Sequence, residues 1–157
     1  ALGVDPVSKN IMRHKPVKSG TLFEKSLIFR VALHGTFIAA ATLGAYLYGL
    51  KTANYPVAMT MAFLVLSISQ LFHALNQRSN TESAFARGEQ VNWYLFGAMV
   101  LSGLILAAIV FIPKLEAFFK LTDLTLSQWE IVAAFSLLPL ALVELTKFIS
   151  RMMRKKA

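Results

Sequence analysis

The chain has 157 residues, of which 56% are hydrophobic and only 15% charged, with a mean hydropathy of +0.58; soluble domains carry about a quarter charged residues. That balance excludes an ordinary soluble domain and identifies a polytopic membrane protein. The net charge of +8 rests on sixteen Lys and Arg residues that mostly flank apolar stretches, a placement that suits anionic lipid headgroups better than a nucleic acid, and no nucleic-acid partner is expected.

Residues 1–26 hold Lys9, Arg13, Lys15, Lys18 and Lys25 against Asp5 and Glu24, and Pro6, Pro16 and Gly20 break any helix. This is a basic juxtamembrane arm, whose positive charge fixes orientation. The sequence opens at Ala1 with no basic stretch followed by a short apolar run, so no signal peptide is read and the chain is expected to be part of a longer one. Without cysteine, disulfides and thiolate chemistry are excluded.

The first span, 27–50, is rich in small residues. Gly35, Ala39 and Thr42 make one row at spacings of three and four, and Ala41 with Ala45 makes a second; either row suits close helix packing. Arg30 and His34 lie within two turns of the basic end, where Arg30 can snorkel to the headgroups and His34 reads as a packing residue. Tyr46 and Tyr48 mark the far interface.

The turn KTANYP is short enough to make the first two spans a tight antiparallel hairpin. In the second span, 57–76, Thr60, Ser67 and Gln70 fall, with Gln77 just beyond it, within a stripe about 100° wide. A polar stripe at membrane depth needs protein or water beside it. Interhelical hydrogen bonds, worth about 0.6 kcal/mol each, would account for it; alternatively Gln70 is a neutral oxygen ligand at the margin of an ion site.

A polar loop over 77–92 precedes the third span, 93–112, which opens with Trp93 and Tyr94 and ends before Pro113. Ser102 is its one interior hydrogen-bonding side chain, which reads as a lipid-facing helix. Residues 113–128 are amphipathic, with Leu115, Phe118, Phe119 and Leu121 against Lys114, Glu116, Lys120 and Asp123, and suit an interfacial loop or short helix. Thr125 or Ser127 is placed to cap the fourth span, 129–150, in which Pro139 should produce a kink. Glu144 and Lys147 stand three residues apart, close enough to pair on one face.

The expected fold is therefore an all-α membrane protein with four transmembrane helices in two antiparallel hairpins: an arm over 1–26 and a membrane domain over 27–157. One side of the membrane receives thirteen of the basic residues and the other Lys51, Lys114 and Lys120, which puts both termini in the cytoplasm. The chain has no phosphate-cradling glycine loop, no His/Cys cluster at metal spacing and no nucleophile beside a base. Its three histidines are expected to lie far apart, in the arm and two different helices, and no acidic residue occupies the centre of a span. Catalysis by this chain alone is not expected.

MTMAFLVLSISQLFHALNQRS followed by ESAF resembles the eighth transmembrane helix and following loop of P-type ATPases of the calcium-pump group. ALGVDPVSKNIMRHKP is similar to the cytoplasmic loop after the sixth helix, and FKLTDLTLSQWEIVAAFSLLPLALVELTKFISR to the ninth-to-tenth loop and tenth helix. The resemblance implies helices seven to ten of an ATP-driven pump whose partners are its own remaining helices and cytoplasmic domains, and the short loops read as those of a bacterial plasma-membrane protein. Mg2+ and ATP would serve the missing domains, where the DKTGT motif belongs, with Ca2+ or Mn2+ as cargo and no cofactor held by this chain. Two-calcium pumps carry a glutamate where Gln70 stands, which implies one transported ion per cycle here. Asn76 and Arg78 match the family's pattern and imply loop and helix-end geometry, while Asp5, Pro6 and the lysines after them imply coupling of ATP-driven motion to the membrane. The competing reading is a free-standing four-helix transporter or an assembly or regulatory subunit.

Overall fold

The computed structural model describes residues 25–76 and 93–156. Four of its helices are long and apolar enough to cross a membrane, and no strand occurs among the described residues. Residues 1–24 of the arm, with Asp5 and Pro6, and the whole loop over 77–92, with Arg78, lie outside the described residues.

Helix α1 spans Lys25–Thr52 and α2 spans Tyr55–Asn76. The turn between them is set by Asn54, whose Oδ1 accepts the Val57 amide at 3.1 Å. An N-cap of this kind satisfies an amide that the first helical turn leaves without a partner, and Pro56 follows inside that turn, where its missing N–H costs nothing. Packing then locks the hairpin. A Cβ on Gly49 would stand 2.6 Å from the Ala58 Cα, so only glycine lets the two backbones approach this closely.

Ala41, Ala45 and Gly49, four residues apart, are all buried and form the seam of α1. The first row of small residues does not. A Cβ added at Gly35 would meet nothing within 4 Å, and Ala39 is exposed, because the helical repeat turns that row away from α2. Thr42, the third member of that row, is only half-exposed, with its hydroxyl buried and without a hydrogen-bond partner among the described residues.

Helix α3 covers Trp93–Phe111, α4 covers Pro113–Phe118 and α5 covers Leu126–Lys156. Thr125 is the cap of α5: its amide is accepted by Gln128 Oε1 at 2.8 Å, the returning half of a capping box. Helix α4 ends with Lys120 at φ 54°, where Leu121 donates to the Glu116 carbonyl and Lys120 to that of Ala117. This is a Schellman closure, with lysine in the left-handed position that glycine favours. Phe118 projects outward, while the Phe119 ring packs 6.2 Å from that of Phe63.

The core forms where α5 crosses the α1–α2 hairpin, around Ala41, Ala45, Met61, Leu64, Val65 and Val132. Gly44 receives the Phe135 ring edge so closely that a Cβ would stand 2.5 Å from it. Pro139 lies inside a continuous α5. One turn before it, the Ser136 carbonyl accepts Ser69 Oγ at 3.4 Å, tying α5 to α2 beside the weakened turn. Helix α3 stands to one side, mainly against α4 and the flank of α2, with Leu95 as its buried residue. The four spans thus pack as a three-helix unit with α3 as an outrigger.

Candidate functional site

The polar stripe of α2 divides in the folded chain. Thr60 is buried, donates to the Pro56 carbonyl at 3.0 Å and accepts the Thr122 amide at 3.0 Å, so it fastens the segment after α4 to α2. Two turns further, Ser67 and Gln70 face a cleft of about 400 Å³ between α2 and α3. Its walls include Phe63, Leu95 and Met99, and Ser102 looks in from α3. Gln77 lies outside the described residues.

Gln70 is exposed, and its amide makes no hydrogen bond among the described residues. Ser67 and Ser102 make none either. Most other hydroxyls on these helices are engaged: Thr36, Thr52, Ser136 and Thr146 donate to carbonyls of their own helix, and Ser69 reaches across to α5. At membrane depth, an unpaired amide and two unpaired hydroxyls carry a desolvation cost that water, another polar segment or a cation must offset. These are neutral oxygen donors, of the type that hard cations accept. Among the described residues, no group of three His, Cys, Asp or Glu side chains could hold a metal ion.

The family described as "Cation transporting ATPase, C-terminus" matches residues 1–149. The chain belongs to that family. Calcium-transporting ATPase 1 of Bacillus cereus is 36% identical over 94% of this chain and 18% of its own length. A calcium-transporting ATPase of Bacillus subtilis is 34% identical over 88% of this chain and 16% of itself. The endoplasmic reticulum-type calcium-transporting ATPase 3 of Arabidopsis thaliana is 25% identical over 96% and 18%. The chain therefore spans less than a fifth of these relatives.

Within this cation-transporting ATPase C-terminal segment, the remaining candidates fall apart from Gln70. Glu144 and Lys147 pair with each other on α5 at 3.4 Å, with the lysine side chain only 6% exposed. Asn76 is the last residue of α2. Asp5, Pro6 and Arg78 lie outside the described residues.

One constellation escaped the sequence reading. His34 and His73, expected to lie far apart on their two helices, instead touch edge to face with ring centroids 5.3 Å apart. They meet because each stands the same number of residues from the Gly49–Ala58 contact on the two antiparallel arms. A hairpin register drawn from the short turn would have found them. Lys147 lies close enough to act electrostatically on both rings.

Proposed function

We propose that this chain is the carboxy-terminal membrane support segment of an ATP-driven calcium pump, with Gln70 contributing a neutral amide oxygen at the edge of the cation path. The carrying observation is that Gln70, Ser67 and Ser102 present hydrogen-bonding groups to a cleft at membrane depth without partners among the described residues. Membership of the family and the names of the relatives support the cargo and the parent activity. ATP and Mg2+ belong to the parts of the pump outside this chain, as do most cation ligands. Since an amide brings no charge, it holds a hard cation less strongly than a carboxylate would, and one ion is moved per cycle.

The arm completes the reading. Asp5, Pro6 and the basic residues from Lys9 to Lys18 connect the helices to the ATP-driven domains, while Asn76 and Arg78 shape the end of the Gln70 helix. Both termini face the cytoplasm, and the Bacillus relatives point to a bacterial plasma membrane.

The test is calcium transport by the full-length protein in sealed vesicles. One Ca2+ per ATP is expected, and Gln70→Ala should weaken apparent calcium affinity about fivefold, the loss of roughly one neutral contact of about 1 kcal/mol. Gln70→Glu should tighten it. Two Ca2+ per ATP in the native protein would reject the stoichiometry, and unchanged affinity in both variants would remove Gln70 from the path. Transport of Mn2+ with greater apparent affinity than Ca2+ would reassign the cargo.

A further inference from the structure

Four basic side chains from three helices gather at one end of the bundle, where α1 begins its span and α2 and α5 finish theirs. Arg30 and His34 lie one turn apart on α1, and His34 touches His73 of α2. Lys147 of α5 lies within electrostatic reach of both rings, and Arg30 within reach of His34. Glu144 is the carboxylate paired to this group, 3.4 Å from Lys147. Among the described residues the cluster thus brings together the Arg30 and Lys147 cations, with Glu144 beside Lys147, and two imidazoles that can each present an N–H.

Its height in the bilayer is set by the spans. His73 stands four residues before the polar run that opens at Gln77, and Lys147 four before Arg151 of the basic tail, so both Cα atoms lie within about 6 Å of the polar boundary of their apolar stretches along the helix. Lipid phosphates occupy that boundary. Beside the cluster, Phe29 on α1 and Phe148 on α5 are more than half exposed and offer apolar surface to acyl chains. Basic pockets between transmembrane helices bind anionic headgroups in this way.

We infer that Arg30, His34, His73 and Lys147 form a binding site for the headgroup phosphate of an anionic phospholipid, which bridges α1, α2 and α5 at this end of the bundle. Arg30, His73 and Lys147 hold other contacts as well, so the phosphate joins an assembled cluster. A divalent metal is disfavoured at the two imidazoles by the neighbouring Lys147 and Arg30 charges. This site is separate from the Gln70 cleft and does not rest on the transport reading.

The test uses the full-length protein in detergent, titrated with phosphatidylglycerol or phosphatidylcholine and read by native mass spectrometry. One retained phosphatidylglycerol is expected, about tenfold tighter than phosphatidylcholine, as charge-assisted hydrogen bonds to a phosphate would give. Arg30→Gln with His34→Gln should remove that preference, whereas Lys114→Gln with Lys120→Gln should leave it intact. Should the first pair fail to fold, His34→Gln alone must lower the preference at least twofold. Equal retention of the two lipids by the native protein, or a preference untouched in the cluster variants, overturns the site. Displacement of the lipid by millimolar inorganic phosphate would assign the cluster to free phosphate and overturn the lipid.

Discussion

The two flanks of α2 differ in how they treat polar groups. Towards α1 and α5 it presents Met61, Leu64, Val65 and Ser69, all buried, with the Ser69 hydroxyl bonded to α5. Towards α3 it presents Ser67 and Gln70 to an open cleft where neither finds a partner among the described residues. One helix thus serves as a closed structural joint on one side and offers unpaired donors and acceptors on the other. A polar group that is already bonded maintains the fold, while a cleft-facing one left unpaired at membrane depth points to something outside the described chain.

Substitutions can break or sharpen this contrast, and thermal unfolding of the full-length protein in detergent reads each of them. The largest effect is expected at Gly49→Val, where the new side chain meets the Ala58 backbone; a loss of about 3 kcal/mol follows from overpacking without room to relax. Glu144→Gln removes a charge from the buried Lys147 and should cost about 2 kcal/mol, less than a wholly isolated pair would lose, because Lys147 keeps another contact.

Thr60→Val leaves the Thr122 amide without its acceptor and should cost about 1–2 kcal/mol. On the open flank, Ser67→Ala should change stability by less than about 0.5 kcal/mol, since no bond within the described chain is lost. A Ser67→Ala penalty equal to that of Thr60→Val would erase the distinction between the flanks. One substitution should instead be a gain: Lys120→Gly relieves a left-handed residue and should add about 0.5–1 kcal/mol.

Local features were legible because their partners are near in sequence. Glu144 and Lys147 lie within one turn; the sequence narrows the cap to Thr125 or Ser127, and the Gln128 side chain, also within one turn, marks Thr125. The cleft was half legible: periodicity grouped Thr60 with Ser67 and Gln70, but it did not reveal that the Thr122 amide bonds to Thr60 while α3 stands off from the other two. For the small residues, two rows on α1 had equal claims, and the row containing Gly35 proved to be the one turned away from the seam.

Composition and periodicity alone determined the four apolar spans, their approximate ends, the short first hairpin and the polar face on α2. Tertiary structure decided which way each helix is turned: Ala41, Ala45 and Gly49 inward, Gly35 outward, Gln70 towards α3, and His34 against His73. The physical reason is that lipid is as apolar as a helix interface. Hydrophobicity therefore marks where a helix crosses the bilayer, but only close packing against a particular neighbour fixes its rotation and brings distant side chains together.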